Sequence, residues 1–213
     1  MDPTRILAIR HGETAWNVDT RIQGHLDIPL NDIGQWQAQR LARALAASDP
    51  IHAIYSSDLL RAHDTARAIA GATGAPLATH PGLRERCFGI FEGKTYVEIE
   101  AIWPEESMRW RQRDPHWAPQ GGESLVQVRE RIALTLNELA ARHLGQQIVL
   151  VAHGGVLDQL YRAATGQDLQ APRTWQLTNT AINRLLWTPQ GLSLVGWADT
   201  LHLDNASLDE INS

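Results

Sequence analysis

The sequence predicts an α/β fold: a three-layer α/β/α sandwich around a mostly parallel sheet, with a small helical lid inserted into it. Strand-like and helical segments alternate along the chain, which is typical of β-α-β connections. The strand-like segments are continuously apolar, as expected for strands that helices cover on both faces. Because 213 residues suit one substantial domain, we expect a single domain over residues 1–213, with residues 88–123 as the lid.

The first half of the chain supplies two strands and two helices. In the first helix we expect Ile33, Trp36, Leu41 and Leu45 to form one broad apolar face, because they recur at helical spacing. Asp58 is the predicted N-cap of the second helix, and Gly71 or Gly74 lies near its end. In order, the predicted elements are a strand at 5–9, a helix at 32–47, a strand at 51–57 and a helix at 58–74.

The second half continues the pattern after the lid. A long helix over 124–143 begins at Ser124, and a buried strand over 146–155 ends in a double glycine. A further helix is predicted to run through Ala164. Two strand-like segments at 180–188 and 192–198 flank a Pro-Gln-Gly turn and predict a hairpin.

The lid segment is rich in tryptophan, proline, glycine and charge. Trp103, Trp110 and Trp117 recur every seven residues, but Pro104 and Pro115 interrupt any single helix, so at least two elements are needed. Packing in the core or within the lid is the preferred interpretation of these tryptophans. An aromatic wall that faces a ligand is the alternative.

Composition and charge exclude several classes of function. The formal net charge of -5 argues against binding to nucleic acid or to an anionic membrane, which needs a broad basic face. No run approaches the roughly 20 apolar residues of a membrane helix. The single cysteine, Cys87, cannot form an internal disulfide. With no secretion signal recognisable near Met1, we expect a cytoplasmic protein.

Three predicted strands end in residues that suit an anion. The first ends in Arg10-His11-Gly12, the second leads through Ser56-Ser57-Asp58 to Arg61, and the last ends in His153-Gly154-Gly155. Ligands of open α/β sheets bind beyond the carboxyl ends of the strands. Two imidazoles and two guanidinium groups would meet there, and arginine holds phosphate oxygens with a planar fork. The sequence therefore predicts a local phosphate site.

Four motifs in order resemble the histidine phosphatase superfamily, also called phosphoglycerate mutase-like, and in particular its phosphatase branch. They are "RHGET" at 10–14 with Asn17, "SSDLLRAHDTA" at 56–66, "LRERCFGIFEG" at 83–93 and "VAHGG" at 151–155. The later segments "NTAIN" and "WADTLHL" are also similar to the phosphatase branch, so the resemblance covers most of the chain.

The resemblance implies a role for each matching residue. It implies that His11 is the nucleophile that becomes a phosphohistidine, and that Glu85 protonates the leaving oxygen and later deprotonates water. A surface charge cluster is the alternative for Glu85, and a turn cap is the alternative for Asn17. No metal or other cofactor is implied. The residues implied to contact the phosphoryl group are Arg10, Asn17, Gln23, Gly24, Arg61, His153 and Gly154, and among them Arg10, Arg61 and His153 also stabilise the transition state.

We therefore expect a phosphomonoesterase that acts on small phosphate esters. A cofactor-dependent phosphoglycerate mutase is the alternative, because Arg109, Arg111 and Arg113 give the lid a basic character. The short lid and its "GGES" segment favour the phosphatase. An inactive phosphate-binding module is disfavoured, because the catalytic set is intact. The expected partner is the small-molecule ester, with neither nucleic acid nor membrane, and a homodimer through the C-terminal hairpin stays open.

Overall fold

The computed structural model describes residues 2–204. It confirms the predicted α/β class, since helices cover both faces of a six-stranded sheet whose order is β3-β2-β4-β1-β5-β6. The strands are β1 Thr4–Arg10, β2 Ala53–Ser56, β3 Leu77–Thr79, β4 Gln147–Ala152, β5 Ile182–Thr188 and β6 Gly191–Asp199. The helices are α1 Ala15–Val18, α2 Asp32–Ala46, α3 Leu60–Thr73, α4 Tyr96–Ile102, α5 Pro104–Arg111, α6 Leu125–Ala140 and α7 Gly154–Thr165.

The strands β1 to β4 run parallel, and β5 and β6 add an antiparallel hairpin at one edge, as predicted. Alternate residues of β1 point to opposite faces of the sheet. Ile6 joins the core beneath α6 and α7, whereas Leu7 joins the core beneath α2 and α3. In the central pair, Arg10 is in register with Ala152, so β1 and β4 end at the same level. This register places the residues that follow the two strands side by side.

The apolar face of α2 differs from the prediction. Leu41 and Leu45 are buried, but Ile33 is 53% exposed and Trp36 is 42% exposed. The helix is turned so that Gly34 faces the loop after β1, where a Cβ on Gly34 would lie 2.0 Å from the carbonyl oxygen of Glu13. This close backbone approach excludes larger side chains from that side of the first turn.

The prediction that Asp58 caps α3 is wrong. The N-cap position is Leu59, which has no side-chain capping bond. The Asp58 carboxylate instead accepts hydrogen bonds from Arg84 at 2.7 and 2.6 Å. The capping oxygen comes from Asp27, which accepts from the Leu60 amide at 2.6 Å. A cap from a distant loop leaves no local pattern in the sequence.

Other predicted boundaries agree with the structure. Ser124 caps α6 by a reciprocal capping box with Gln127. Gly74 ends α3 in the left-handed conformation, with φ of 71°. No helix in residues 2–204 is long and apolar enough to cross a membrane.

The lid has its own small core around Phe91, which is fully buried. Its ring centroid lies 5.8, 5.4 and 6.1 Å from those of Trp103, Trp110 and Trp117, respectively. The three tryptophans therefore pack within the lid, as the preferred interpretation predicted, although they belong to separate elements.

Candidate active site

A cavity of about 700 Å³ lies at the carboxyl ends of the parallel strands, between the sheet and the lid. Eight of the nine predicted site residues line it: Arg10, His11, Asn17, Gln23, Gly24, Arg61, Glu85 and Gly154. The ninth, His153, is fully buried behind this surface. Its ring centroid is 5.2 Å from that of His11, so the two imidazoles are close enough to contact one small anion.

His11 is held in one orientation and one tautomer. Its backbone amide donates to Ala152 at 3.0 Å, which continues the pairing of β1 with β4. Its Nδ1 lies 2.7 Å from the carbonyl oxygen of Gly12. Because a carbonyl only accepts, Nδ1 carries the proton and Nε2 keeps its lone pair. Burial, followed by repulsion from Arg61 and Arg10, lowers the pKa of His11 well below 6.5, so the ring is neutral at pH 7.

The buried ring of His153 makes no hydrogen bond within the part of the chain that the structure describes. Burial and the nearby charges of Arg61, His11 and Arg10 lower its pKa well below 6.5. Buried polar atoms in native proteins almost always have partners. A neutral imidazole with no protein partner, beside two guanidinium groups, is therefore suited to donate a hydrogen bond to a bound anion.

Arg61 is fully buried in the first turns of α3. Its two terminal nitrogens donate to the carbonyl oxygens of Leu26 and Gly24, each at 2.8 Å. Burial lowers the pKa of Arg61 to about 10, so it stays charged at neutral pH. Thr65, one turn later, accepts from the Gly12 amide at 3.0 Å. Arg61 thus fixes the loop at 24–26 beside the turn that carries His11.

The segment 177–180, just before β5, contacts Arg10 and His11. Arg10 donates to the carbonyl oxygen of Leu177 at 2.5 Å. The Asn179 side chain donates to the His11 carbonyl oxygen at 2.8 Å, and the Thr180 amide donates to that of Arg10 at 2.9 Å. The sequence analysis predicts neither the Leu177 contact nor the Asn179 contact. The similarity of "NTAIN", at 179–183, covers Asn179 but not Leu177.

Glu85 lies at the N-terminus of α7. The Gly155 amide donates to both of its carboxylate oxygens, at 3.0 and 3.1 Å, and the Arg86 amide donates at 2.7 Å. The partial positive charge of a helix N-terminus stabilises a carboxylate at this position. The surface alternative is wrong for Glu85, which lines the cavity. Of its neighbours, Arg84 pairs with Asp58 at the surface, whereas Arg86 is buried.

Asn17 and Gln23 line the cavity with different constraints. Asn17 caps α1 through its Oδ1, which accepts from the Thr14 amide at 3.0 Å. The capping interpretation is therefore correct, and a contact of its Nδ2 with phosphate stays a prediction. Gln23 is buried, and its Oε1 has no hydrogen-bond partner in the described residues.

The outer part of the cavity contains charged residues that sequence reasoning did not predict as ligands. Arg86, Asp158 and Arg173 lie there, together with Arg113 of the lid. They come from four separate segments, so no local motif connects them. Trp110 also lines the cavity and stacks on Tyr96, with ring centroids 4.9 Å apart. Trp110 therefore serves both the lid core and an aromatic wall. Among the residues described, no group of histidine, cysteine and carboxylate side chains is arranged to hold a metal ion.

Comparisons with known proteins agree with this geometry. The sequence profile of the histidine phosphatase superfamily (branch 1) matches residues 6–200. Phosphoglycerate mutase-like protein 4 of Arabidopsis thaliana is 39% identical over 207 residues, which cover 96% of this chain and 89% of that protein. Glucosyl-3-phosphoglycerate phosphatase of Mycolicibacterium vanbaalenii is 40% identical over 169 residues, or 76% of this chain and 74% of that protein. The solved structure of Bacillus stearothermophilus YhfR superposes with a TM-score of 0.86 at 33% identity, covering 94% and 100% of the two chains.

Proposed function

The chain belongs to the histidine phosphatase superfamily and is an enzyme that hydrolyses phosphate monoesters, and we propose that it does so by forming a phosphohistidine on Nε2 of His11. The observation that carries the proposal is the tautomer of this ring. Nδ1 is committed to the Gly12 carbonyl, which leaves a lone pair on the nitrogen that attacks phosphorus.

In the first step, the Nε2 lone pair attacks phosphorus. The P–N bond forms while the ester P–O bond breaks, and Glu85 in its acid form protonates the departing oxygen. Arg10, Arg61 and His153 stabilise the charge on the three phosphoryl oxygens. Arg10 and Arg61 are held by backbone carbonyls before substrate binds, so little reorganisation is needed in the transition state.

In the second step, water attacks the phosphohistidine. The Glu85 carboxylate takes the proton from this water, the P–N bond breaks, and its electron pair returns to Nε2. Inorganic phosphate then leaves. The same carboxyl group serves as acid and then as base, so the proton balance closes over one turnover.

The positions and ion pairs of the lid arginines favour hydrolysis over the mutase alternative. Arg111 is paired with Glu100 at 2.7 Å, and Arg109 is exposed and does not line the cavity. Arg111 and Arg113 both line the cavity, but Arg113 is also paired with a carboxylate, that of Asp158 at 3.4 Å. A site that retains a phosphorylated acid between two transfers would want lid arginines free to bind that acid.

The proposal is tested by rapid acid-free quenching during turnover of p-nitrophenyl phosphate. We expect wild type to yield an acid-labile phosphoprotein and His11→Ala to lose both this species and turnover. Glu85→Gln should strongly reduce the rate of hydrolysis of alkyl phosphate esters. The rate for p-nitrophenyl phosphate should fall only mildly, because p-nitrophenolate needs little protonation to leave. A phosphoprotein that persists in His11→Ala would refute the assignment of the nucleophile. Fast isomerisation of 3-phosphoglycerate, with little free phosphate, would favour the mutase.

A further inference from the structure

The loop at 24–26 lies between the two parts of the proposed chemistry. On one side, the terminal nitrogens of Arg61 donate to two of its carbonyl oxygens, each at 2.8 Å. On the other side, the loop contacts the segment 85–92, which carries the proposed general acid. The middle residue of the loop, His25, does not line the cavity, and the function proposed above leaves it without a role.

The ring of His25 reaches the backbone of Glu85. Its Nε2 lies 2.8 Å from the Glu85 carbonyl oxygen. Because a carbonyl oxygen only accepts, Nε2 carries the proton in this hydrogen bond. Arg131, on α6, reaches the same oxygen at 3.4 Å and holds two carbonyl oxygens of the segment 82–84 at 2.9 Å. His25 therefore makes the shorter of the two bonds to this carbonyl, and it does so from the loop that Arg61 holds.

The backbone of His25 is anchored by Glu92. Oε1 of Glu92 accepts from the amides of His25 at 3.0 Å and of Phe88 at 2.9 Å. One carboxylate oxygen therefore joins the loop to the residues that follow Glu85. A Cβ on Gly24, whose φ is 49°, would lie 2.1 Å from this oxygen. Since only glycine leaves room for the carboxylate, the loop and Glu92 pack as one unit.

A second connection between this segment and the start of α3 lies at the surface. Arg84 donates to Asp58, and their side chains are 38% and 32% exposed. Exposed ion pairs contribute little to stability and are screened by salt. The bond from His25 is partly buried, and it leads directly to the loop that Arg61 fixes.

We propose that His25, through the bond from its Nε2 to the Glu85 carbonyl, sets the position of the general acid relative to the phosphoryl group that Arg61 stabilises. Glu92 supports this role by anchoring the backbone of His25. His25 is then a positioning residue for proton transfer to the leaving oxygen. The inference rests on the proposed function, in which Glu85 is the acid. Attack by His11 is not affected, because other contacts orient that ring.

The test measures how the rate depends on the leaving group. His25→Leu removes the donor and keeps a side chain of comparable size. The parameter kcat/KM covers the steps up to departure of the leaving group and excludes the later attack by water. For glycerol 3-phosphate, an alkyl ester, we expect it to fall about tenfold, the order of one lost hydrogen bond. For p-nitrophenyl phosphate it should stay within about threefold of wild type, because that leaving group needs little protonation. The inhibition constant of inorganic phosphate should also stay within about threefold.

Companion variants separate positioning from a general loss of structure. His25→Gln keeps an N–H donor near the position of Nε2 and should restore kcat/KM for glycerol 3-phosphate to within about threefold of wild type. His25→Asn has a shorter side chain and should behave like His25→Leu. In the Glu85→Gln background, His25→Leu should lower this kcat/KM by less than about twofold, because the acid is already absent. His116→Leu is the matched control, since His116 is an exposed lid histidine outside the cavity, and it should leave both esters unchanged.

Several results would overturn the proposal. Equal losses on both esters in His25→Leu, or a weaker inhibition by phosphate, would show that His25 supports the whole site. A tenfold loss in the Glu85→Gln background would show that His25 acts without Glu85. Equal rates for His25→Asn and His25→Gln would remove the role of the hydrogen bond. The proposed function fails separately: Glu85→Gln would then slow both esters equally, whereas a selective loss in Glu85→Gln but not in His25→Leu overturns this inference alone.

Discussion

Substitution of Gly155 by alanine should displace the proposed general acid without removing it. A Cβ at this position would lie 2.2 Å from Oε1 of Glu85 and 3.3 Å from its Cδ. Ordinary van der Waals contact of a Cβ begins at 3.4 Å, so the carboxylate has to move by roughly 1 Å. The Gly155 amide also donates two of the three backbone hydrogen bonds that orient this carboxylate; the third comes from the Arg86 amide. The alanine variant therefore pushes Glu85 away from the leaving oxygen.

The size of the effect follows from the chemistry of proton transfer. General acid catalysis contributes about 10²- to 10⁴-fold, and a misplacement of about 1 Å can cost on the order of 10²-fold. We expect kcat for an alkyl phosphate ester to fall about 10²-fold in Gly155→Ala. For p-nitrophenyl phosphate the loss should be less than about tenfold, because that leaving group departs with little protonation. Steady-state assays on the two esters give the ratio directly.

Gly154→Ala is the comparison. Its added Cβ would be 3.8 Å from the nearest atoms of Arg10 and Glu85, which is ordinary contact. The fall in kcat for the alkyl ester should be much smaller in Gly154→Ala than in Gly155→Ala. Equal losses on both esters in Gly155→Ala, or equal losses in the two variants, would refute the steric argument and the acid role assigned to Glu85.

Three further outcomes are expected. Arg61→Lys removes the planar guanidinium that holds two loop carbonyls. We expect kcat/KM to fall by about 10²-fold or more, and the free energy of unfolding in urea melts to fall by about 1–3 kcal/mol. An unchanged kcat/KM would contradict this expectation. Because the folded-state pKa values of His11 and His153 are depressed, the unfolded chain binds more protons below pH 6.5. Stability is therefore full above that pH and decreases as pH falls, by up to about 1.4 kcal/mol per pH unit for each histidine. His153→Asn should remove the contribution of one histidine, up to about 1.4 kcal/mol per pH unit, from the dependence of the unfolding free energy on pH. A pH dependence equal to that of wild type would contradict the burial argument. Arg162→Met removes a bond of 3.0 Å to the Ala171 carbonyl and should speed hydrogen exchange in residues 166–176, with exchange in α2 as the unaffected reference.

Sequence reasoning was most successful where pattern and topology act together. The residues after β1 and β4 could be placed at one edge because parallel strands end together, and the structure brings His11 and His153 to 5.2 Å. The cap of α6 at Ser124 was predictable because both partners of the capping box lie within four residues.

The remaining features depend on contacts between distant segments. The α3 cap comes from Asp27, and the orientation of α2 is set by the backbone of Glu13. Arg86 and Arg173 face one cavity although 87 positions separate them in the sequence. Neither hydrophobic periodicity nor a local motif predicts such contacts, because these contacts depend on how whole helices and strands pack together.

The central position of β1 imposes an order on biosynthesis. This strand leaves the ribosome before the other five strands, yet its two neighbours in the sheet begin at residues 147 and 182. At translation rates of about 5–20 residues per second, β1 waits roughly 7 to 35 seconds for these neighbours. During that interval the nascent chain has an apolar strand with unsatisfied edges, which is a natural substrate for chaperones. The residues that contact Arg10, Leu177 and Thr180, lie just before β5. The site can therefore be complete only after residue 180 has been synthesised.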